Sequence, residues 1–177
     1  MKNQLPVHRG LSLPEAPQAA PQPLRVLAME DDMLFHLILK RLITNSGVLA
    51  DVVFCENGFT GLEHLTNLLV EGNTSQYPDI ILLDLHMPRL SGSDFLDSYA
   101  RYFRHQFTDT TIYVLSGSSF DYELKHLYQR FPFLGEPLRK PLNNDQWQSI
   151  ARRHQPSHPI PLNADNAPMA WSGAAAS

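Results

Sequence analysis

One stretch limits what this chain can fold into more than any other: Ile80-Ile81-Leu82-Leu83, closed by Asp84 and followed by Leu85-His86-Met87-Pro88-Arg89-Leu90-Ser91-Gly92. Consecutive branched apolar residues, too few for a membrane span, read as a strand buried on both faces, as in a parallel sheet. A carboxylate at Asp84 then stands at the carboxyl end of a central strand, where open α/β sheets place their ligands. Pro88 and Gly92 force an irregular loop before a helix can begin, which leaves the acid on the floor of a crevice. Taken alone, these residues favour a plainer role, in which Asp84 only caps or ends a strand. The rest of the chain decides between the two.

Strand-like and helix-like segments alternate on either side. Leu24 to Met29 is an apolar run broken by Arg25 and ended by Glu30-Asp31-Asp32. From Met33, residues Leu34, Leu37, Ile38 and Leu42 share a helical face, and Gly47 supplies a stop. Asp51 to Cys55 is a second short strand, Asn57-Gly58 turns the chain, and Phe59, Leu62, Leu65 and Leu69 line the next helix. After a polar connection over Glu71 to Pro78 comes the strand ending at Asp84. Phe95, Leu96, Tyr99, Ala100 and Phe103 form a third helical stripe, capped by Ser91 or Ser93. Thr111 to Leu115 is a fourth strand ending at Ser116-Gly117, and Phe120, Leu124 and Leu127 mark a fourth helix. Phe133 to Leu138 is the weakest strand, because Gly135 and Pro137 disfavour a central position. Trp147 and Ile150, after Lys140-Pro141, suggest a short last helix. Five such alternations predict an α/β fold: a doubly wound, five-stranded parallel sheet with helices on both faces.

Composition bounds the unit and its setting. Nine of the 14 prolines lie outside the middle of the chain, which predicts a flexible Pro-rich arm at 1–23, one domain at 24–154 and a disordered tail at 155–177. A net charge of -4 gives no electrostatic reason to expect nucleic acid or an anionic membrane as partner. The lone Cys55 excludes an internal disulfide framework and fits a reducing compartment. With no signal-peptide pattern and no long apolar run, a cytoplasmic location is expected.

In a parallel sheet the carboxyl ends of the strands share one edge, and the polar residues gather there. Glu30 and Asp31 follow the first strand, Asp84 the third and Ser116 the fourth, while Lys140 follows the fifth. Carboxylates about 4 Å apart repel by roughly 4 kcal/mol at an effective dielectric near 20, so the cluster asks for a cation, and oxygen ligands in an open crevice suit Mg²⁺. Such a site can promote phosphoryl transfer by positioning and charge neutralisation, with Asp84 as acceptor, Lys140 holding phosphoryl oxygens and the Ser116 hydroxyl donating to one of them.

The acidic pair, the Asp84-to-Gly92 run with Met87-Pro88, the Ser116-Gly117 step and Lys140-Pro141 together resemble the receiver domain of bacterial response regulators, over about residues 24 to 154. That resemblance implies a flavodoxin-like receiver fold of the single-domain chemotaxis-regulator type. It implies that Asp84 accepts a phosphoryl group from a sensor histidine kinase or a histidine phosphotransfer protein. Asp31 and Asp84 would touch Mg²⁺, Glu30 would act largely through water, and the backbone carbonyl of His86 would complete the protein ligands. Ser116 and Lys140 would sense and neutralise the phosphoryl group, and the Lys140-Pro141 bond would be cis. The output is expected through protein-protein contacts with an unidentified partner, and a homodimer stays open. Asp32 receives no defined role.

One position departs from the family pattern. Three residues before Lys140 the family usually carries an aromatic switch residue, and here that residue is Pro137. Either the strand register is displaced and Phe133 substitutes, or the signal is passed differently. The departure keeps a second class in play, a receiver-like interaction module that works without phosphorylation. A third, a phosphatase with an aspartyl-phosphate intermediate, is disfavoured because such enzymes usually carry a second Asp two residues after the nucleophile, where this chain has His86. His86 can tune loss of the phosphoryl group or be a plain loop histidine. The other histidines are scattered, and Pro156 between His154 and His158 argues against zinc. Arg152-Arg153 reads as a helix C-terminal charge pair.

Overall fold

A computed structural model describes residues 22–117 and 122–154. The expected tail lies outside the described residues, as does the expected arm except for its last two positions, and so does Phe120.

The sheet is built from β1 (Leu24–Met29), β2 (Ala50–Cys55), β3 (Ile80–Asp84), β4 (Thr111–Ser116) and β5 (Leu138–Arg139). All neighbours pair in parallel, in the order β2-β1-β3-β4-β5. The helices are α1 (Met33–Ser46), α2 (Gly58–Glu71), α3 (Gly92–Tyr102), α4 (Tyr122–Arg130) and α5 (Asn144–His154). A short 3-10 turn at Thr74–Gln76 occupies part of the polar connection before β3. The fold is thus the doubly wound α/β sheet that the alternation predicts. Among the described residues no helix is long and apolar enough to cross a membrane.

Because β3 is central, both of its faces are covered, and every residue from Ile80 to Asp84 is buried. Alternate side chains feed two cores. Leu27, Met29, Ile81 and Leu83 pack with Leu65, Phe95, Tyr99 and Leu127 on the side of α2, α3 and α4. Val26, Ala28, Ile80 and Leu82 pack with Phe35, Leu39, Trp147 and Ile150 on the side of α1 and α5. Full burial of each Ile or Leu contributes roughly 1.5 to 3 kcal/mol, so the strand that carries Asp84 is the best anchored in the sheet. Cys55 is buried at the end of β2, and burial pushes its thiol up to about 11. Its role is packing in the core on the α2 side.

Three local expectations need correction. The inward face of α1 is Phe35, His36, Leu39 and Ile43, whereas Leu34 and Leu37 are each 60% exposed. This helix is apolar round most of its circumference, so two stripes compete, and the polar His36 disguises the buried one. Asn57-Gly58 is less a turn than a helix start: Asn57 caps α2 by accepting from the Thr60 N–H, and Gly58 is the first helical residue. On that helix the buried side is Gly58, Gly61, Leu65 and Leu68, while Phe59 is exposed. Finally, the fifth strand is only Leu138–Arg139. Upstream of it Pro137 has no N–H to pair, and Gly135 lies so close to β4 that a Cβ there would stand 2.7 Å from the Tyr113 ring.

Candidate phosphoacceptor site

The strand order reverses direction between β1 and β3, and at this switch point the residues after the two strand ends face one crevice. Glu30 continues the sheet by donating its N–H to the Cys55 carbonyl at 3.0 Å. Its side chain is 2% exposed, Asp84 is 6% exposed, and Asp31 is open to solvent. One carboxylate oxygen from each of Glu30, Asp31 and Asp84 lies within 4.8 Å of the others.

Lys140 reaches this cluster from the far side. Its Nζ stands 2.5 Å from Glu30 Oε2 and 3.1 Å from Asp84 Oδ2. The placement follows from the sheet: Ser116 pairs with Arg139, and the Lys140 N–H donates to the Ser116 carbonyl at 2.7 Å. The next peptide bond, Lys140-Pro141, is cis. Burial alone would lower the Lys140 ammonium, but the Glu30 hydrogen bond and the Asp84 charge outweigh it and raise it. Burial pushes the Glu30 carboxyl up while Lys140 pulls it down. Ser116 sits at the same edge, half-buried at the end of β4.

The loop after Asp84 is held at both ends. Leu85 and Met87 turn into the α2–α4 core and His86 between them is exposed. The Leu90 carbonyl accepts the Gly58 N–H at 3.1 Å, tying the loop to the start of α2. Arg89 takes a left-handed conformation at φ 67° and lays its guanidinium over the Phe59 ring at 5.5 Å. Gly92 then donates its N–H to the Leu85 carbonyl at 3.0 Å, and a Cβ on it would lie 2.3 Å from the Asp84 carbonyl oxygen. Only glycine lets α3 start this close to the acid. Ser91 caps α3 by accepting from the Asp94 N–H.

Glu30, Asp31, Asp84 and Lys140 are therefore in one place, with Ser116 on the adjacent strand end. Two residues outside the expected set lie directly behind the site. Asp32 caps α1, accepting the Leu34 N–H at 2.8 Å, and starts the helix directly behind the acidic pair. His36, buried on α1, approaches the Glu30 backbone carbonyl with Nε2 at 2.8 Å. Ser/Thr/Asp/Asn preceding a helical stripe is a legible cap signal, whereas nothing local to the sequence separates His36 from the other histidines.

The residues fit a divalent cation. Three carboxylates bring three negative charges and Lys140 one positive charge, leaving an excess of two that oxygen-seeking Mg²⁺ would neutralise. Pro137 stands three residues before Lys140, directly ahead of the short strand in which Leu138 and Arg139 pair with Leu115 and Ser116. Phe133 instead packs on Phe131 and Tyr99, with Arg104 over its ring at 4.3 Å.

This sheet, with its acids at the switch point, defines a domain of the response-regulator receiver fold. Solved structures of that class superpose on most of the chain. A two-component response regulator from Cytophaga hutchinsonii matches with a TM-score of 0.65 at 19% identity, covering 75% of this chain and 98% of its own. The phosphorylated cyanobacterial phytochrome response regulator RcpA matches at 0.58 and 23%, covering 75% and 91%. The receiver domain of the sensor histidine kinase PA1611 of Pseudomonas aeruginosa, described with a magnesium ion in its active-site cleft, matches at 0.58 and 18%, covering 75% and 97%. Among curated proteins, the alkaline phosphatase synthesis transcriptional regulatory protein SphR of Synechococcus elongatus is 30% identical over 106 residues, 59% of this chain and 39% of its own. The probable methanogenesis regulatory protein FilR2 of Methanothrix harundinacea is 27% identical over 124 residues, 70% of this chain and 76% of its own. This chain spans 39% of the length of SphR and 27% of that of the DNA-binding transcriptional regulator NtrC of Proteus hauseri. No family model matches the sequence.

Proposed function

We propose that this domain accepts a phosphoryl group on Asp84 from a phosphohistidine of a sensor histidine kinase or histidine phosphotransfer protein, and signals through protein-protein contacts. The observation that supports this most is the convergence of Glu30, Asp31 and Asp84 at the switch point with the Lys140 ammonium between two of them. Asp84 Oδ attacks phosphorus in line, the O–P bond forms as the N–P bond to the imidazole breaks, and the departing imidazole takes up a proton. Lys140 neutralises the oxygens of the transferring group, and the Ser116 hydroxyl donates to one of them. Asp31, Asp84 and the His86 carbonyl would hold Mg²⁺, with Glu30 acting largely through water, and the ion would supply charge neutralisation of the transferring group. The domain is taken as 24–154, in keeping with described elements that begin at Leu24 and end at His154; its setting is taken as cytoplasmic.

The exposed apolar side of α1 supports the partner. Met33, Leu34 and Leu37 are 66%, 60% and 60% exposed on the helix that begins next to Asp31, a face suited to an apolar helix of the phosphodonor. A second class, an interaction module that works without phosphorylation, draws on Pro137 at the switch position. The two separate in one experiment: incubation with Mg²⁺ and acetyl phosphate followed by intact-mass measurement. One added phosphoryl group is expected, and none when a chelator is present from the start; an unchanged mass at saturating donor favours the interaction module.

A further inference from the structure

We propose that His36 is a positioning residue for the acidic pair, acting on the site through the peptide that joins Glu30 to Asp31; this rests on the function proposed above. A carbonyl oxygen only accepts, so the 2.8 Å approach of His36 Nε2 to the Glu30 carbonyl requires a proton on that nitrogen. The bond holds the peptide plane whose rotation moves the Glu30 and Asp31 side chains relative to each other. It therefore sets how the two carboxylates share the crevice with Asp84.

The ring is itself held. His36 is 6% exposed, and its ring lies 4.4 Å from that of Phe54, tilted by 39°. Phe54 is on β2, where it pairs in register with Ala28 of β1, two residues before Glu30. A continuous path of packed groups thus runs from the edge strand through His36 to the acids. The helix does not need this bond, because Asp32 already caps α1. An apolar ring would fill the space against Phe54 equally well but would leave the Glu30 carbonyl without this donor. Polarity at this buried position is thus explained by the loop before the helix and not by the helix.

The variants H36Q and H36F separate the hydrogen bond from packing, since the Gln amide nitrogen lies the same number of bonds from Cα as His Nε2. Mg²⁺ affinity measured by calorimetry on the full chain should fall about tenfold in H36F, the usual cost of losing a group that orients metal ligands, and be largely restored in H36Q. The Mg²⁺ concentration giving half-maximal labelling by acetyl phosphate should rise in parallel, with the rate at saturating Mg²⁺ little changed. H36F within threefold of wild type, or H36Q as weak as H36F, overturns the proposal. Should H36F fail to fold, long-range proton-nitrogen correlation spectra of the metal-free wild type still decide: Nε2 protonated is expected, and an Nδ1–H tautomer overturns it. Wild type that binds Mg²⁺ yet takes no phosphoryl group overturns the proposed function while the affinity comparison still tests His36; wild type that binds no Mg²⁺ overturns both.

Discussion

Lys140 stands between two buried carboxylates, and without a cation it is their neutralising partner. Lys140→Met should destabilise the metal-free protein by about 2 kcal/mol, less than for a fully buried pair because the lysine is partly exposed. Urea unfolding in a chelator measures this. Adding Glu30→Gln should return part of the loss, and an unchanged midpoint in Lys140→Met would contradict the arrangement. Asp32 has a separate duty: Asp32→Ala should cost about 1 kcal/mol as a lost helix cap yet leave Mg²⁺ affinity as it was, whereas a large fall in affinity would make it a ligand. At this scale the sequence is uneven. Glu30, Asp31, Asp84 and Lys140 are legible because charge clusters at strand ends are costly without a purpose. His36 is not, because its role depends on a carbonyl six residues earlier that only the fold brings beneath it.

Elements were legible wherever composition and burial agreed. The β3 segment is apolar and buried on both sides, so its strand and the placement of Asp84 at its end follow directly from the residues. On α1 two apolar stripes overlap, and periodicity alone selects Leu34 and Leu37, which prove to be outside. On β5 pairing is confined to Leu138 and Arg139, because Pro137 and Gly135 ahead of them shorten the strand. The join between β3 and α3 carries the sharpest mutational test. Gly92→Ala would place a methyl 2.3 Å from the Asp84 carbonyl oxygen and 2.8 Å from Leu85 Cα. Neither is a flexible side chain, so the backbone must move, at a cost of about 1 to 3 kcal/mol. Thermal unfolding should show the loss, with weaker Mg²⁺ binding because Asp84 moves with its backbone; wild-type stability would mean α3 can start further away at no cost.

For the molecule as a whole, the two-sided sheet leaves α1 with an apolar face beside the acids and the α3 side with an aromatic cluster that includes Phe133. If the α1 face receives the phosphodonor, replacing Leu34 and Leu37 together by Glu should slow phosphotransfer from a partner kinase at least tenfold. The rate from acetyl phosphate, which needs no docking, should stay within twofold, and equal slowing of both would place the effect in the site itself. Fold class was legible from the alternation of elements, but the path from Asp84 to an output was not, because it depends on how Phe133, Phe131 and Tyr99 pack and on Pro137 where an aromatic is usual. The central claim is narrower and is best met at Asp84 itself. Protein treated with Mg²⁺ and acetyl phosphate, then reduced with borohydride to trap an acyl phosphate and sequenced by tandem mass spectrometry, should carry homoserine at position 84 and at no other aspartate. Homoserine elsewhere, or none under saturating donor, would contradict the account.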